Sequence, residues 1–296
     1  MARPFAKFLV AFAIASLALV SLALVLALRS PEPGAVAYPN PNGYDQFGKA
    51  ASMVTGDPSR SDDMNEKDLS TLVKQNAESL ALMRRGFSND CRVRLDYTGT
   101  NAAYLQNLTS LKGLARTAAA EGKLAELENR PADAAKCYLD VIRLACESSR
   151  GGRIIECLVA VALESIGTSR LGKLVPVLEP GKCRELALSL ETSDSLRASP
   201  NMVLEQEREW VRRTYGVKGQ IRSILSWRLL KQTQQGCLAR FQAQQLQTRK
   251  LMLDLAARAY ESDKGQHPKS ADDLVPGYLK SIPLDPVTGT NIAFRP

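Results

Sequence analysis

An uninterrupted apolar stretch near the start of the chain, Phe8 to Leu28, constrains the molecule more than any other sequence feature. It contains no charged residue, and Arg3, Lys7 and Arg29 flank it. Its length matches the roughly 20 apolar residues that a helix needs to cross a bilayer. We therefore predict a transmembrane anchor within residues 1–29, with the lipid bilayer as its partner.

Two fates remain open for this stretch. The small residues Ala35-Val36-Ala37 suit cleavage by a signal peptidase, which would remove the segment. The apolar region of a signal peptide usually runs about 7–15 residues, however, and the greater length here favours a retained anchor. Positive charges before the stretch place the amino terminus in the cytoplasm. In both cases we predict that the rest of the chain lies outside the cytoplasm, and with a retained anchor the protein is a single-pass membrane protein.

Prolines are dense in the next segment, residues 30–60. Their positions are Pro31, Pro33, Pro39, Pro41 and Pro58. Such a density prevents regular structure and favours an extended spacer. We predict a Pro-rich linker with one docking aromatic residue. The alternative is that a turn at 42–45 starts an ordered segment, for which Tyr44 and Phe47 offer apolar anchors.

Helical spacing of apolar residues dominates the following segment, 61–250. Aromatic residues make up only 6% of the chain, while Ala, Leu, Glu, Arg and Gln, which favour helices, are plentiful. The spacing predicts helices over 65–85, 101–128, 131–149, 153–178, 181–196 and 199–215, and a long helix from about 219 to 263. We predict a mainly α fold, with a helical bundle outside the cytoplasm.

The helix pair on either side of Pro131 has a more specific pattern. Gly122, Ala134 and Tyr138 have the relative spacing of a tetratricopeptide-type hairpin, in which small residues let two helices approach and Tyr138 fills their groove. The chain resembles that family over this one hairpin. Ala118 replaces an expected aromatic residue, and no second copy follows, whereas a solenoid needs about three repeats.

The last segment, 251–296, carries the most specific local pattern. The run contains His267-Pro268, Leu274-Val275-Pro276, Tyr278-Leu279, Pro283 and Asp285-Pro286. It resembles the segment that follows the long helix in type II secretion pseudopilins. The resemblance implies a loop and a small amount of strand, which we place over 291–295, and Ser270 with Asp273 predicts a capping box for a short helix.

The resemblance to pseudopilins does not extend to the amino terminus. The apolar stretch lacks both the glycine of a prepilin peptidase site and the glutamate of a pilin helix. The chain therefore resembles uncharacterised membrane-anchored helical proteins with a pseudopilin-like ending. Some pseudopilins bind calcium near this segment, but only Asp285 matches as an oxygen ligand, so we predict no metal and no cofactor.

Residues able to form a catalytic set are scarce. His267 is the only histidine, and it lies in a Gly-x-His-Pro turn without a recognisable nucleophile motif. One histidine also rules out a histidine-rich zinc site. Asp62-Asp63 and Asp272-Asp273 could supply paired carboxylates for glycoside hydrolysis, but their positions indicate helix starts. We predict no catalytic residue and favour a protein that is not an enzyme.

The six cysteines form no Cys-x-x-Cys pair. Cys146 and Cys157 flank the turn Gly151-Gly152 almost symmetrically and are a candidate disulfide in an oxidising compartment. The alternative is that each cysteine is a small buried hydrophobic residue.

Positive charge is concentrated between Glu205 and Lys250, where ten Lys or Arg face three Glu, out of a net charge of +8 for the chain. We predict a contact with an anionic surface through Arg208, Arg212, Arg213, Lys218, Arg222, Arg228 and Lys231. The alternative is a solvated helical surface, because the charges do not fall on one face. The predicted compartment argues against nucleic acid as a partner.

These features favour scaffolding or protein–protein interaction at the cell envelope, with an unidentified protein partner. Two alternatives stay open. One is an envelope hydrolase whose carboxylates converge only in three dimensions. The other is an accessory component of a secretion system, which rests on the resemblance of the last segment alone.

Overall fold

The structure is a computed structural model, and it describes residues 12, 14–22, 24, 25, 37–97, 102–225 and 227–292. The helices are α1 (Gly43–Ser52), α2 (Glu66–Gln75), α3 (Ala77–Gly86), α4 (Ala102–Leu127), α5 (Pro131–Ser148), α6 (Ile154–Leu174), α7 (Pro180–Ser195), α8 (Pro200–Leu225) and α9 (Trp227–Lys264). Short 3-10 turns occupy Pro58–Arg60, Val175–Val177 and Ala271–Leu274. Extended pairing in these ranges is limited to one antiparallel bridge between Leu284 and Asn291. The predicted mainly α class is confirmed.

The predicted anchor, Phe8 to Leu28, falls partly outside the described residues. Its described positions are helical, and their apolar side chains are exposed, from 50% at Val25 to 71% at Leu17. None of the described helices combines the length and the apolar character that crossing a membrane requires. The transmembrane anchor stays a prediction.

The second half of the predicted linker differs from an extended spacer, because it contains helix α1. Asn42 begins this helix: its side-chain oxygen accepts a hydrogen bond from the Tyr44 amide at 3.1 Å. Phe47 is fully buried and packs on Phe87 with ring centroids 5.4 Å apart. The prolines precede and follow the helix instead of interrupting it. Burial of the Phe47 side chain stabilises the helix, whereas a free tether would bury no apolar surface.

The helix predicted over 65–85 is divided into α2 and α3 at Asn76. The Asn76 side chain accepts from the Thr55 amide at 2.8 Å and donates to the Thr55 carbonyl at 3.0 Å. The Asn76 side chain also donates to the Leu72 carbonyl at 2.9 Å. Side-chain bonds of this kind compete with the regular backbone bonds of a helix and favour a break at this residue.

The predicted pair α4 and α5 is confirmed as two helices that pack closely around Tyr138. A Cβ atom added at Gly122 would lie 2.5 Å from a Tyr138 ring carbon, so the absence of a side chain makes room for the ring. Helix α6 closes the other side, where Gly167 faces Ile142. This geometry agrees with the predicted role of Gly122 and Tyr138, and the relationship to tetratricopeptide proteins stays a prediction.

The carboxyl-terminal segment packs on the bundle. Gly265, with φ +68°, ends α9, and the predicted capping box of Ser270 and Asp273 is present, with the Ser270 amide donating to Asp273 Oδ2 at 3.2 Å. Leu274 and Leu279 are fully buried. They belong to the same apolar cluster as residues of α1, so one core extends over most of the described chain.

Candidate functional site

The candidate functional site is a pair of clefts that meet at the bend between α7 and α8, residues 195–199. One cleft, of about 750 Å³, lies beside the start of α8, and we term it the α8 cleft. The other, of about 680 Å³, lies against residues 281–289, and we term it the tail cleft. Both are lined by Ser195, Arg197 and Ala198. The bend therefore forms the wall that the two clefts share.

Apolar side chains rim the clefts and face solvent. In the α8 cleft, Leu196 is 38% and Met202 is 60% exposed. In the tail cleft, Leu284 is 45% exposed beside Ile282 and Pro283. Exposed apolar groups that cluster at a concave surface are typical of binding sites.

Two backbone amides of the bend take no part in the hydrogen bonds of the adjoining helices. Its two ends are fixed by helical bonds, from the Arg197 amide to the Asp194 carbonyl and from the Val203 amide to the Ser199 carbonyl, both at 3.1 Å. Within the described part of the chain, the amides of Ala198 and Ser199 donate to no backbone carbonyl. Such groups can pair with an extended segment of another chain.

Beneath the bend lies a buried ion pair centred on Arg197. The Arg197 guanidinium donates to both Glu164 carboxylate oxygens, at 2.9 and 2.6 Å, and to Asp194 at 3.0 Å. The side chains of Arg197, Glu164 and Asp194 are 3%, 0% and 9% exposed. Cys146 Sγ lies 3.5 Å from the guanidinium, and burial raises the pKa of this thiol to about 12.

Residues of α9 complete this network. Arg249 donates to Asp194 at 2.8 Å and Gln245 donates to the same carboxylate at 3.1 Å. The Thr248 hydroxyl donates to Glu164. Two guanidiniums thus balance two carboxylates, and the network ties α6, α7 and α9 together behind the shared wall. A satisfied buried network of this kind holds its helices in one arrangement.

The carboxylates of the tail cleft are engaged by backbone amides or arginines. Glu191 accepts from the amides of Lys280 and Ser281, each at 3.0 Å. Asp285 accepts from the amides of Thr288 and Val287, which lower its pKa. A glycosidase requires one carboxyl group with a raised pKa as the general acid. The tail cleft therefore gives no support to the hydrolase hypothesis.

A second buried charge cluster joins α6 to α8. Arg153 pairs with Glu156 at 3.1 Å, and its guanidinium lies 4.1 Å from the centroid of Trp210. Glu207 accepts from the Ile154 amide at 3.1 Å. Burial raises the pKa of Glu207, the Ile154 amide and Arg153 oppose the rise, and Glu156 adds to it.

This raised pKa predicts a measurable pH dependence. The folded chain holds the Glu207 proton more tightly than the unfolded chain, so the contribution of Glu207 to stability is greatest in acid. It declines as pH rises from the ordinary value of 4.5 through the raised pKa. We expect the unfolding free energy of the wild type, relative to Glu207→Gln, to fall across that interval in denaturant titrations. A difference that grows with pH would contradict this assignment.

The structure describes the side chains of only some of the predicted anionic-surface residues. Arg213 donates to Glu209 at 2.6 Å, and Arg212 donates to the same carboxylate, so these two charges are partly neutralised on α8. Arg208 and Lys231 are exposed. The side chains of Lys218, Arg222 and Arg228 lie outside the described part, and the contact with an anionic surface stays a prediction.

Other predicted positions are accounted for by packing. Cys146 and Cys157 are free and buried in the structure, and a disulfide between them in an oxidising compartment stays a prediction. Cys146 contacts Arg197, and Cys157 belongs to an apolar cluster with Val203 and Phe241. His267 contacts Glu261 at the turn after α9.

No metal site was predicted, and in the described ranges no three His, Cys, Asp or Glu side chains are placed to hold a metal ion.

The Arg197 network was not predicted from the sequence. Glu164 was the available signal, because it is a carboxylate inside the apolar run 154–166 that forms a buried helix. A charge at such a position requires a partner.

Comparison of the chain with protein-family models, with curated proteins and with solved structures found no match.

Proposed function

We propose that this protein is a membrane-anchored envelope scaffold that holds an extended segment of a partner protein across the bend at 195–199. The observation that carries the proposal is the meeting of two clefts at a bend with unused backbone amides. Main-chain pairing would supply affinity, and the apolar rims would select side chains on either side of the bend.

The chemistry of the rims defines the partner segment. Met202 and Leu196 favour an apolar side chain in the α8 cleft, and Leu284 with Ile282 favours another in the tail cleft. An extended segment spans about 3.3 Å per residue, so the partner would present its two apolar side chains a few residues apart. The buried Arg197 network keeps the shared wall in place and contributes no net charge of its own.

The envelope location rests on the amino-terminal stretch. Its described residues form helix with exposed apolar side chains, which suits a lipid environment. The charges of Arg3 and Lys7 then orient the bundle away from the cytoplasm. The pseudopilin-like ending favours a secretion component as one class of partner.

Site-specific photocrosslinking in native membranes tests the proposal. A photoreactive side chain replaces Met202 in one chain and Leu284 in another. We expect both positions to form adducts with the same partner protein, within one short segment of it that mass spectrometry identifies. A synthetic peptide of that segment should abolish both adducts.

Val177 provides the matched control, because it is 62% exposed and lines neither cleft. Equal adducts at Val177, different proteins at the two cleft positions, or no adduct at either would each contradict the proposal. A partner that belongs to a secretion system would favour the accessory role, and a partner of another kind would argue against that role while supporting the scaffold.

A further inference from the structure

A third cleft, remote from the bend, carries a concentration of polar groups. It has a volume of about 500 Å³ and lies between the turn that begins at Pro58, helix α4 and helix α6. Its basic side chains are Arg116 from α4 and Arg170 and Lys173 from α6. Hydroxyl groups of Ser165 and Ser169 lie on the same wall.

Two of these cations form no ion pair with a carboxylate of the described residues. Arg116 is half-buried and Lys173 is exposed, and neither forms an ion pair or a hydrogen bond within the described ranges. They reach the cleft from different helices, so it is the packing of α4 against α6 that brings the two charges together. Cations that converge on a concave polar site attract an anion.

The third cation is held by an exposed carboxylate of the chain itself. Arg170 pairs with Asp62, and this hydrogen bond lowers the pKa of Asp62. The Asp62 side chain is 70% exposed, whereas that of Arg170 is 21% exposed. The carboxylate therefore reaches into the cleft from a surface turn, which Lys123 fixes by donating to the Ser61 carbonyl at 3.0 Å.

The remaining acidic side chain of the cleft, Glu126, has a hydrogen-bond partner other than the three cations. It accepts a hydrogen bond from the buried hydroxyl of Tyr138. If an anion took the place of Asp62 on Arg170, it would meet three cations and only this one committed carboxylate. A dianion makes fuller use of three cations than a monoanion does, and guanidiniums bind phosphate oxygens in pairs.

We propose that this cleft binds a phosphate monoester, and that Asp62 occupies the phosphate position when the ligand is absent. The cleft volume suits a small phosphorylated molecule or the headgroup of a phosphorylated lipid. Arg116, Arg170 and Lys173 bind the phosphate. The Asp62 carboxylate competes with the phosphate for Arg170 and so lowers the affinity of the cleft for the ligand.

Calorimetric titration of the full chain in detergent tests this site, with glycerol 3-phosphate as the soluble probe and phosphatidic acid as the lipid probe. We expect saturable binding of one ligand per chain. Asp62→Asn should tighten binding about tenfold, because the Asp62 carboxylate competes with the phosphate for Arg170 and repels it. Arg116→Gln should weaken binding about tenfold. A tenfold change in affinity corresponds to about 1.4 kcal/mol. Saturation by phosphatidic acid alone would identify a lipid source, and saturation by glycerol 3-phosphate a soluble one.

Lys182→Gln is the control for loss of one positive charge, because Lys182 pairs with Glu185 on α7 and lines no part of this cleft. Lys173→Gln should weaken binding and Lys182→Gln should not. Equal weakening by both, equal binding of acetate, weaker binding to Asp62→Asn, or no binding of either probe would each overturn the proposal. Circular dichroism of each variant separates a failure to fold from a failure to bind.

Discussion

Replacement of Arg197 by methionine is expected to lower the free energy of unfolding by about 3–5 kcal/mol. The change leaves the Glu164 carboxylate, which is 0% exposed, without its guanidinium. It also removes one of the donors to Asp194. A buried charge without a partner bears its full desolvation cost, which explains why the effect exceeds that of losing one hydrogen bond.

Equilibrium unfolding in guanidinium chloride, followed by circular dichroism, measures this effect. The double variant Arg197→Met/Glu164→Met should recover more than half of the loss, because it removes the stranded carboxylate as well. Arg130→Met is the control: its side chain is 50% exposed in an ion pair with Glu128, and such pairs contribute about 0–1 kcal/mol. Similar losses for Arg197→Met and Arg130→Met would contradict the assignment of a buried network.

Gly167→Ala is expected to destabilise the protein by about 1–3 kcal/mol, although alanine is the better helix former. A Cβ atom at this position would lie 2.6 Å from Ile142 Cγ1 and 2.7 Å from the Tyr138 carbonyl oxygen. The second contact is with backbone, which cannot move aside as a side-chain end can. Helices α5 and α6 would have to separate at the centre of the core.

Gly113→Ala is the matched control, since Gly113 is also within a long helix but has no atom within 4 Å of an added Cβ. It should stabilise the protein by about 0.5–1 kcal/mol, because alanine loses less conformational freedom on folding. The two substitutions are therefore expected to have opposite signs in the same unfolding assay. Stabilisation by both would mean that α5 and α6 do not approach as described.

Local patterns predicted most helix boundaries because these signals act within a few residues. The helix predicted to begin at 199 is α8, which begins at Pro200, and the Met202 amide donates to the Ser199 hydroxyl at 3.3 Å. The gap predicted between the helix that ends at 215 and the helix that begins at about 219 contains Gly216, which has φ +55° within α8. Caps and glycines determine local conformation with little help from the rest of the chain.

Features that depend on distant partners could not be predicted in this way. Helix α1 forms in a proline-rich segment because Phe47 finds a place against Gly86 and Phe87. Asn76 breaks a helix because Thr55 lies opposite it. Both results depend on residues far away in the sequence, which a periodicity pattern does not contain.

The candidate site was beyond prediction for the same reason. The bend at 195–199 is an ordinary loop in the sequence, and its importance comes from the two clefts that meet there. Trp210 lies among the basic residues of segment 205–250 in the sequence, yet it is only 6% exposed and packs on Arg153. Only the three-dimensional arrangement separates a buried aromatic side chain from a binding one.

Amide hydrogen exchange of the full chain, measured with and without the peptide that the crosslinks identify, shows whether a partner segment pairs with the bend. We expect the amides of Ala198 and Ser199 to exchange rapidly in the free chain, because they lack backbone partners in the described residues. A saturating peptide should slow both by at least about tenfold, as for amides that enter hydrogen bonds. Bound peptide with unchanged exchange at Ala198 and Ser199 would contradict pairing across the bend.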